Sequence, residues 1–146
     1  MTTERPAIIA LKNAGWSPTR SVDISKDIAA LTREGVPQFK AIVDFLREYS
    51  GLVINFDRAG EPDEIWFSGE RASELMAPDW IEDYSQRSGV QLAPVGAAYG
   101  EYLTLLIAED GSWYGGFDDE FGSMGNNFLD TLENILLNKG FVARFD

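Results

Sequence analysis

The spacing of apolar positions changes about a third of the way along this chain. Phe39, Ile42, Val43, Leu46 and Tyr49 recur at intervals of three and four. That spacing predicts a core-facing helical stripe, opened by Pro37 and closed by Gly51. Two helices are predicted before it. The first has Ile8, Ile9 and Leu11 on its apolar side, Thr2 or Thr3 as cap, Pro6 in its first turn and Gly15 at its end. Residues 16–20 then make a turn. The second is capped by Asp23 or Ser25, carries Ile28 and Leu31 three apart on one face, and stops at Gly35.

Beyond Gly51 the apolar runs shorten. Residues 52–56, 65–67, 92–95, 102–107 and 113–117 read as strands, and 121–124 as an edge strand. Asp110-Gly111 between two of these runs is a hairpin signal. Residues 78–87 read as an inserted helix, with Pro78 early and Gly89 just past its end. A last helix carries Leu129, Leu132, Ile135 and Leu136, capped by Asn126 or Asn127 and ended by Gly140, and 141–146 form a tail. The order predicts an α+β fold: a helical N-terminal half, a mostly antiparallel sheet of about four to six strands, and a closing C-terminal helix. We expect one domain over 1–146, with no internal repeat and no dividing linker.

Composition narrows the function. The chain has 146 residues, 45% of them hydrophobic, which is enough for a proper core. It has no Cys and no His, so it lacks a thiol nucleophile, a disulfide framework, the commonest general base and the commonest zinc ligand. No apolar run approaches the ~20 residues of a membrane span. The first five residues lack the basic region and apolar run of a secretory signal, which predicts a cytoplasmic protein.

Charge adds direction. The formal net charge is −12. Residues 1–50 hold seven Lys/Arg against six Asp/Glu, and the remainder hold five against eighteen. Between Ser88 and Asn138 there is no Lys or Arg. Nucleic acid and anionic membrane are therefore poor partners, whereas a basic protein is a good one.

The candidate chemistry is acidic. Asp118-Asp119-Glu120 follows a strand, and its spacing does not match a calcium loop, so a solvated turn or a contact for a basic partner fits better. Glu61-Pro62-Asp63-Glu64 reads as a similar acidic loop. Glu101, Glu109 and Asp110 lie at hairpin ends, and several carboxylates converge if the sheet gathers these loops on one side. The Gly-rich stretches 96–100 and 111–116 match no nucleotide-binding fingerprint, and turns or close packing account for them. Tyr99 and Trp113, within an aromatic-rich region, are candidate interface anchors.

Residues Ala14-Gly15-Trp16-Ser17-Pro18-Thr19-Arg20-Ser21-Val22-Asp23 resemble the opening motif of the third subfamily of the SUKH superfamily. The resemblance continues through Gly35-Val36-Pro37, then Phe45-Leu46-Arg47-Glu48-Tyr49-Ser50-Gly51-Leu52, and Leu92-Ala93-Pro94-Val95-Gly96. It ends with the Glu109-Asp110-Gly111 turn and Gly125, and matches least between Leu52 and Gly89. It implies a SUKH-like α+β immunity protein of a bacterial polymorphic toxin system, which binds and blocks a cognate toxin, often a nuclease. It carries over no catalytic residues, metal or cofactor. The expected contacts, read from charge and aromatic placement, are Glu61, Asp63, Glu64, Tyr99, Glu101, Trp113, Asp118, Asp119 and Glu120. Two alternatives stay open: a general protein-interaction module or nucleic-acid mimic without a toxin, and a small carboxylate-dependent hydrolase.

Overall fold

A computed structural model describes residues 4–145. Three helices come first: α1 (Pro6–Asn13), α2 (Ser25–Arg33) and α3 (Lys40–Tyr49). The hairpin of β1 (Val53–Arg58) and β2 (Glu61–Phe67) follows, then α4 (Gly69–Leu75) and α5 (Pro78–Ser88). Four strands come next: β3 (Leu92–Ala98), β4 (Leu103–Ala108), β5 (Trp113–Phe117) and β6 (Glu120–Gly125). The chain closes with α6 (Phe128–Leu136) and the short β7 (Ala143–Arg144). The fold is α+β, as the order of patterns predicts. No helix among the described residues is long and apolar enough to cross a membrane.

All seven strands join one antiparallel sheet in chain order, β1 to β7. Helices cover both of its faces. On one, Phe45 of α3 packs against Phe67, Trp113 and Phe128 with ring centroids 4.8–5.4 Å apart. On the other, Tyr84 of α5 stacks on Phe121 at 4.4 Å. The continuous apolar run of β4 follows from this, because every residue of β3 and β4 is buried and neither face needs polar side chains. A Cβ at Gly116 would lie 2.5 Å from the Tyr84 ring, so a glycine there lets α5 seat on the sheet.

Several boundaries differ from the sequence expectation. Helix α1 starts at Pro6 with Arg5 as N-cap, and Thr2 and Thr3, the expected caps, lie outside the described residues. Helix α3 starts at Lys40 and not at Pro37, because Phe39 is extended (φ −96°, ψ 164°). Phe45, outside the predicted stripe, sits at its aromatic centre. Helix α4 was not anticipated. Helix α6 ends at Leu136, four residues before Gly140. The expected edge strand at 121–124 is β6, and it is interior, because β7 pairs outside it within what was expected to be a tail. This brings the strand number to seven.

The largest difference is at Glu61-Pro62-Asp63-Glu64, expected as a loop and found as the first half of β2. Ala59 and Gly60 both take positive φ (52° and 89°), which makes the tight hairpin that pairs Arg58 with Glu61. Strand β3 pairs with β2 only from Ile65 onward. Residues 61–64 therefore have a strand neighbour on one side alone, where charge and a proline without an N–H are tolerated.

Candidate partner-binding surface

An antiparallel sheet in chain order sends every second connection to the same end. The β1–β2, β3–β4 and β5–β6 turns therefore share one end of the sheet, and the β4–β5 turn lies at the other. Glu61, Asp63, Glu64, Glu101, Asp118, Asp119 and Glu120 are gathered at the shared end. Glu109 and Asp110 are separated from them by the length of β4. There Asp110 Oδ1 accepts from the Ser112 hydroxyl at 2.5 Å and from Ser112 N at 2.9 Å, and these hydrogen bonds hold its carboxyl below the usual range.

The gathered carboxylates have different surroundings. Asp63 is turned inward: its Oδ1 accepts from Glu64 N at 2.7 Å and from Gly100 N at 3.0 Å, tying the first hairpin to the β3–β4 turn. Arg58 lies 3.8 Å from its other oxygen. Glu101 pairs with Arg71 of α4, and Glu120 with Arg144 of β7 at 2.7 Å. Glu61, Glu64, Asp118 and Asp119 make no ion pair within 4 Å among the described residues. No three of these acids come together as a metal cluster among the described residues.

The backbone of the Asp118-Asp119 turn is held from α5. Tyr84 Oη donates to Asp118 O, and Arg87 Nη1 donates to Asp119 O at 2.7 Å. Burial pushes the Tyr84 hydroxyl up to about 12. The two carboxylates themselves remain exposed. Asp118 sits at φ 50°, and Ala59, Tyr99 and Glu101 in the neighbouring turns also have positive φ. The three turns are thus strained at non-glycine positions, a condition that persists only where surrounding contacts enforce it.

The two candidate aromatic anchors behave otherwise than expected. Trp113 is 1% exposed, packed between Phe45 and Phe128, and offers nothing to the surface. Strand alternation points it inward with Gly115. Tyr99 is half-buried: its Oη donates to Ile135 O of α6 at 3.0 Å, and the Arg58 guanidinium covers its ring at 3.8 Å. Burial raises its pKa, opposed by Arg58. Its role is to fasten α6 to the turn. The exposed aromatic here is Tyr102, 63% accessible, which leans on Phe117 at 4.4 Å. It belongs to the aromatic-rich region of the sequence, but only a turn conformation turns it outward. Lys139, Phe141 and Arg144 also reach this end: Lys139 lies just past α6, in what was expected to be the end of the last helix, and Phe141 and Arg144 come from the expected tail, where no periodic pattern signals them.

Against known families, residues 4–138 match the family described as SUKH-3 immunity protein. No curated protein and no solved structure matches the chain.

Proposed function

The chain belongs to the SUKH-3 immunity protein family, and from that premise we propose that it neutralises a cognate toxin by binding it through the turn end of the sheet. Family membership supports an immunity role without catalysis. One observation carries the choice of surface: Glu61, Glu64, Asp118 and Asp119 stand at one end of the sheet without an ion-pair partner among the described residues. A basic toxin, such as a nuclease whose Lys and Arg normally meet phosphate, presents complementary charge to this end. Glu101 and Glu120 border the contact, while Asp63 positions the turns. The charge asymmetry of the chain suits fast, steered association, which an antidote acting in the cytoplasm requires.

The test is binding to the toxin encoded by the adjacent gene, with wild type and with a variant carrying Glu61→Gln, Glu64→Gln, Asp118→Asn and Asp119→Asn. Exposed ion pairs contribute about 0.2–1 kcal/mol each, so the variant loses about 1–4 kcal/mol of affinity at low salt and less at high salt. Equal affinities and equal salt dependence refute the acidic contact. Absence of any complex with the toxin refutes the toxin reading itself.

A further inference from the structure

Between the β3–β4 turn and the segment that follows α6 lies an open cleft of about 280 Å³. Its chemistry is opposite to that of the acids around it. No Asp or Glu lines it. Of the five Lys/Arg after residue 50, three line this one cleft: Arg58, Lys139 and Arg144. Four aromatic rings line it too: Tyr99, Tyr102, Phe117 and Phe141. Convergence of the scarce cations of an acidic chain on one aromatic cleft is not what solvation alone requires.

The two guanidinium groups are held in place. Arg58 lies over the Tyr99 ring at 3.8 Å, its Nε donates to Asn138 Oδ1 at 3.3 Å, and its Nη1 lies 3.8 Å from Asp63 Oδ2, outside the cleft lining. Arg144 lies over the Phe141 ring at 5.4 Å and uses Nη1 on Glu120. Each guanidinium has five N–H donors, so both retain donors after these contacts. Lys139 makes no ion pair among the described residues. A planar or apolar group fits between the rings, and a negative charge on it meets Arg58, Lys139 and Arg144.

The surroundings indicate a protein occupant. The three most exposed large hydrophobic residues among those described are Val142 (69%), Tyr102 (63%) and Leu137 (57%). Tyr102 lines the cleft, and Leu137 and Val142 flank the 138–141 segment that forms one of its walls. Exposed apolar residues around a small, open cleft suit an interface anchor better than an enclosed ligand site. We propose that this cleft is the anchor socket of the toxin contact, and that it takes an aromatic or aliphatic side chain of the toxin next to a carboxylate. This rests on the toxin reading above. It adds that the contact has a reversed centre: acids on the turns meet toxin cations, while the cationic cleft meets a toxin acid.

The experiment has two arms. In the first, Tyr102→Ala and Lys139→Glu are compared with Asp118→Asn/Asp119→Asn for affinity to the toxin of the adjacent gene. Both cleft variants should weaken binding about tenfold or more, as truncation of an anchor does. Both Kd values unchanged within about twofold, on the scale of that anchor loss, overturn the socket, whether or not the turn variant weakens the complex. In the second, the isotopically labelled protein is titrated with the blocked dipeptides Trp-Asp, Trp-Asn and Trp-Lys. The amides of Tyr102, Lys139 and Gly140 should shift most with Trp-Asp and least with Trp-Lys. If no toxin complex forms at all, the toxin reading falls and this arm decides the socket alone: equal shifts with all three dipeptides overturn it. Saturation by adenosine monophosphate and not by dipeptide, or a dimer that Tyr102→Ala splits, overturns it in favour of a nucleotide or a second copy of the chain.

Discussion

Asp27 is a carboxylate in the first turn of α2, only 6% exposed, and it joins three segments of the chain. Its Oδ1 accepts from Glu70 N, in the first turn of α4, at 2.8 Å, and from Ser68 Oγ at 3.4 Å. Its Oδ2 accepts from Ser50 Oγ, just past α3, at 2.5 Å. Helix α4 has seven residues, too few to persist without help. Its first turn has two acceptors: Ser68 Oγ takes Arg71 N at 3.0 Å, and Asp27, from another helix, takes Glu70 N. Replacing Asp27 with Ala removes two good charge-assisted hydrogen bonds and leaves the Glu70 N–H and the Ser50 hydroxyl without partners. At about 1.5–3 kcal/mol for each hydrogen bond to a charged group, the loss is about 3–6 kcal/mol. That is a large part of the ~5–15 kcal/mol that holds a domain folded. Asp27→Asn keeps an acceptor for Glu70 N, and the rotatable Ser50 hydroxyl can accept from the new amide, so its loss is about 1–2 kcal/mol. Urea unfolding followed by Trp fluorescence measures both. With a slope of about 2 kcal/mol per molar, the alanine variant moves the midpoint down by about 1.5–3 M. A shift below about 0.5 M for Asp27→Ala, on the same slope, refutes the cross-helix cap.

Four further outcomes follow from the packing and charge. Gly116→Ala forces a Cβ to 2.5 Å from a Tyr84 ring already clamped by Phe121 and Asp118 O, and should cost about 1–3 kcal/mol with a loss of near-ultraviolet circular dichroism. Phe45→Ala empties the contact between α3, the sheet and α6, and should cost about 3–5 kcal/mol in the same urea assay. Ala59→Asn places a residue that tolerates the left-handed region at φ 52°, and should raise stability by about 0.5–1 kcal/mol, read as a higher thermal midpoint. Arg5 holds Asp130 and Glu133 below the usual carboxylate range, chiefly through its side-chain hydrogen bonds to them. Carboxyls lowered in the folded state stabilise it above their unfolded pKa, and that stabilisation is lost as pH falls through the folded values. Arg5→Gln should therefore lower the thermal midpoint at neutral pH, and the gap from wild type should close on acidification through the carboxylate range. A gap that stays constant with pH refutes the linkage.

Local pattern made much of the fold legible. Helix α5 runs from Pro78 to Ser88 and ends on Gly89 at φ 76°, the left-handed cap its glycine foretold. Asn127 caps α6 by accepting from Asp130 N at 2.9 Å. Strand β5 has the predicted bounds, Trp113–Phe117. These signals need only near neighbours. Helix α4 and the strand at Glu61–Glu64 need distant ones: a cap from Asp27, and a single flanking strand that permits Pro62. For the same reason Phe45 lay outside the predicted stripe, since its partners come from β2, β5 and α6.

The amino-acid sequence by itself determined the α+β class, the placement of most elements, the absence of His and Cys, and the concentration of acid after Gly51. These are properties of composition and of spacing along the chain. Only the tertiary structure decided which acids stand together. Seven antiparallel strands in chain order bring three turns to one end and carry Glu109 and Asp110 to the other. It also decided that Trp113 is core and Tyr102 is surface, because alternation across a doubly covered sheet hides the first while a turn exposes the second. The cationic cleft within the acidic end has no signature along the chain: Arg58 lies far in sequence from Lys139 and Arg144, and only the return of the chain after α6 brings them to one place.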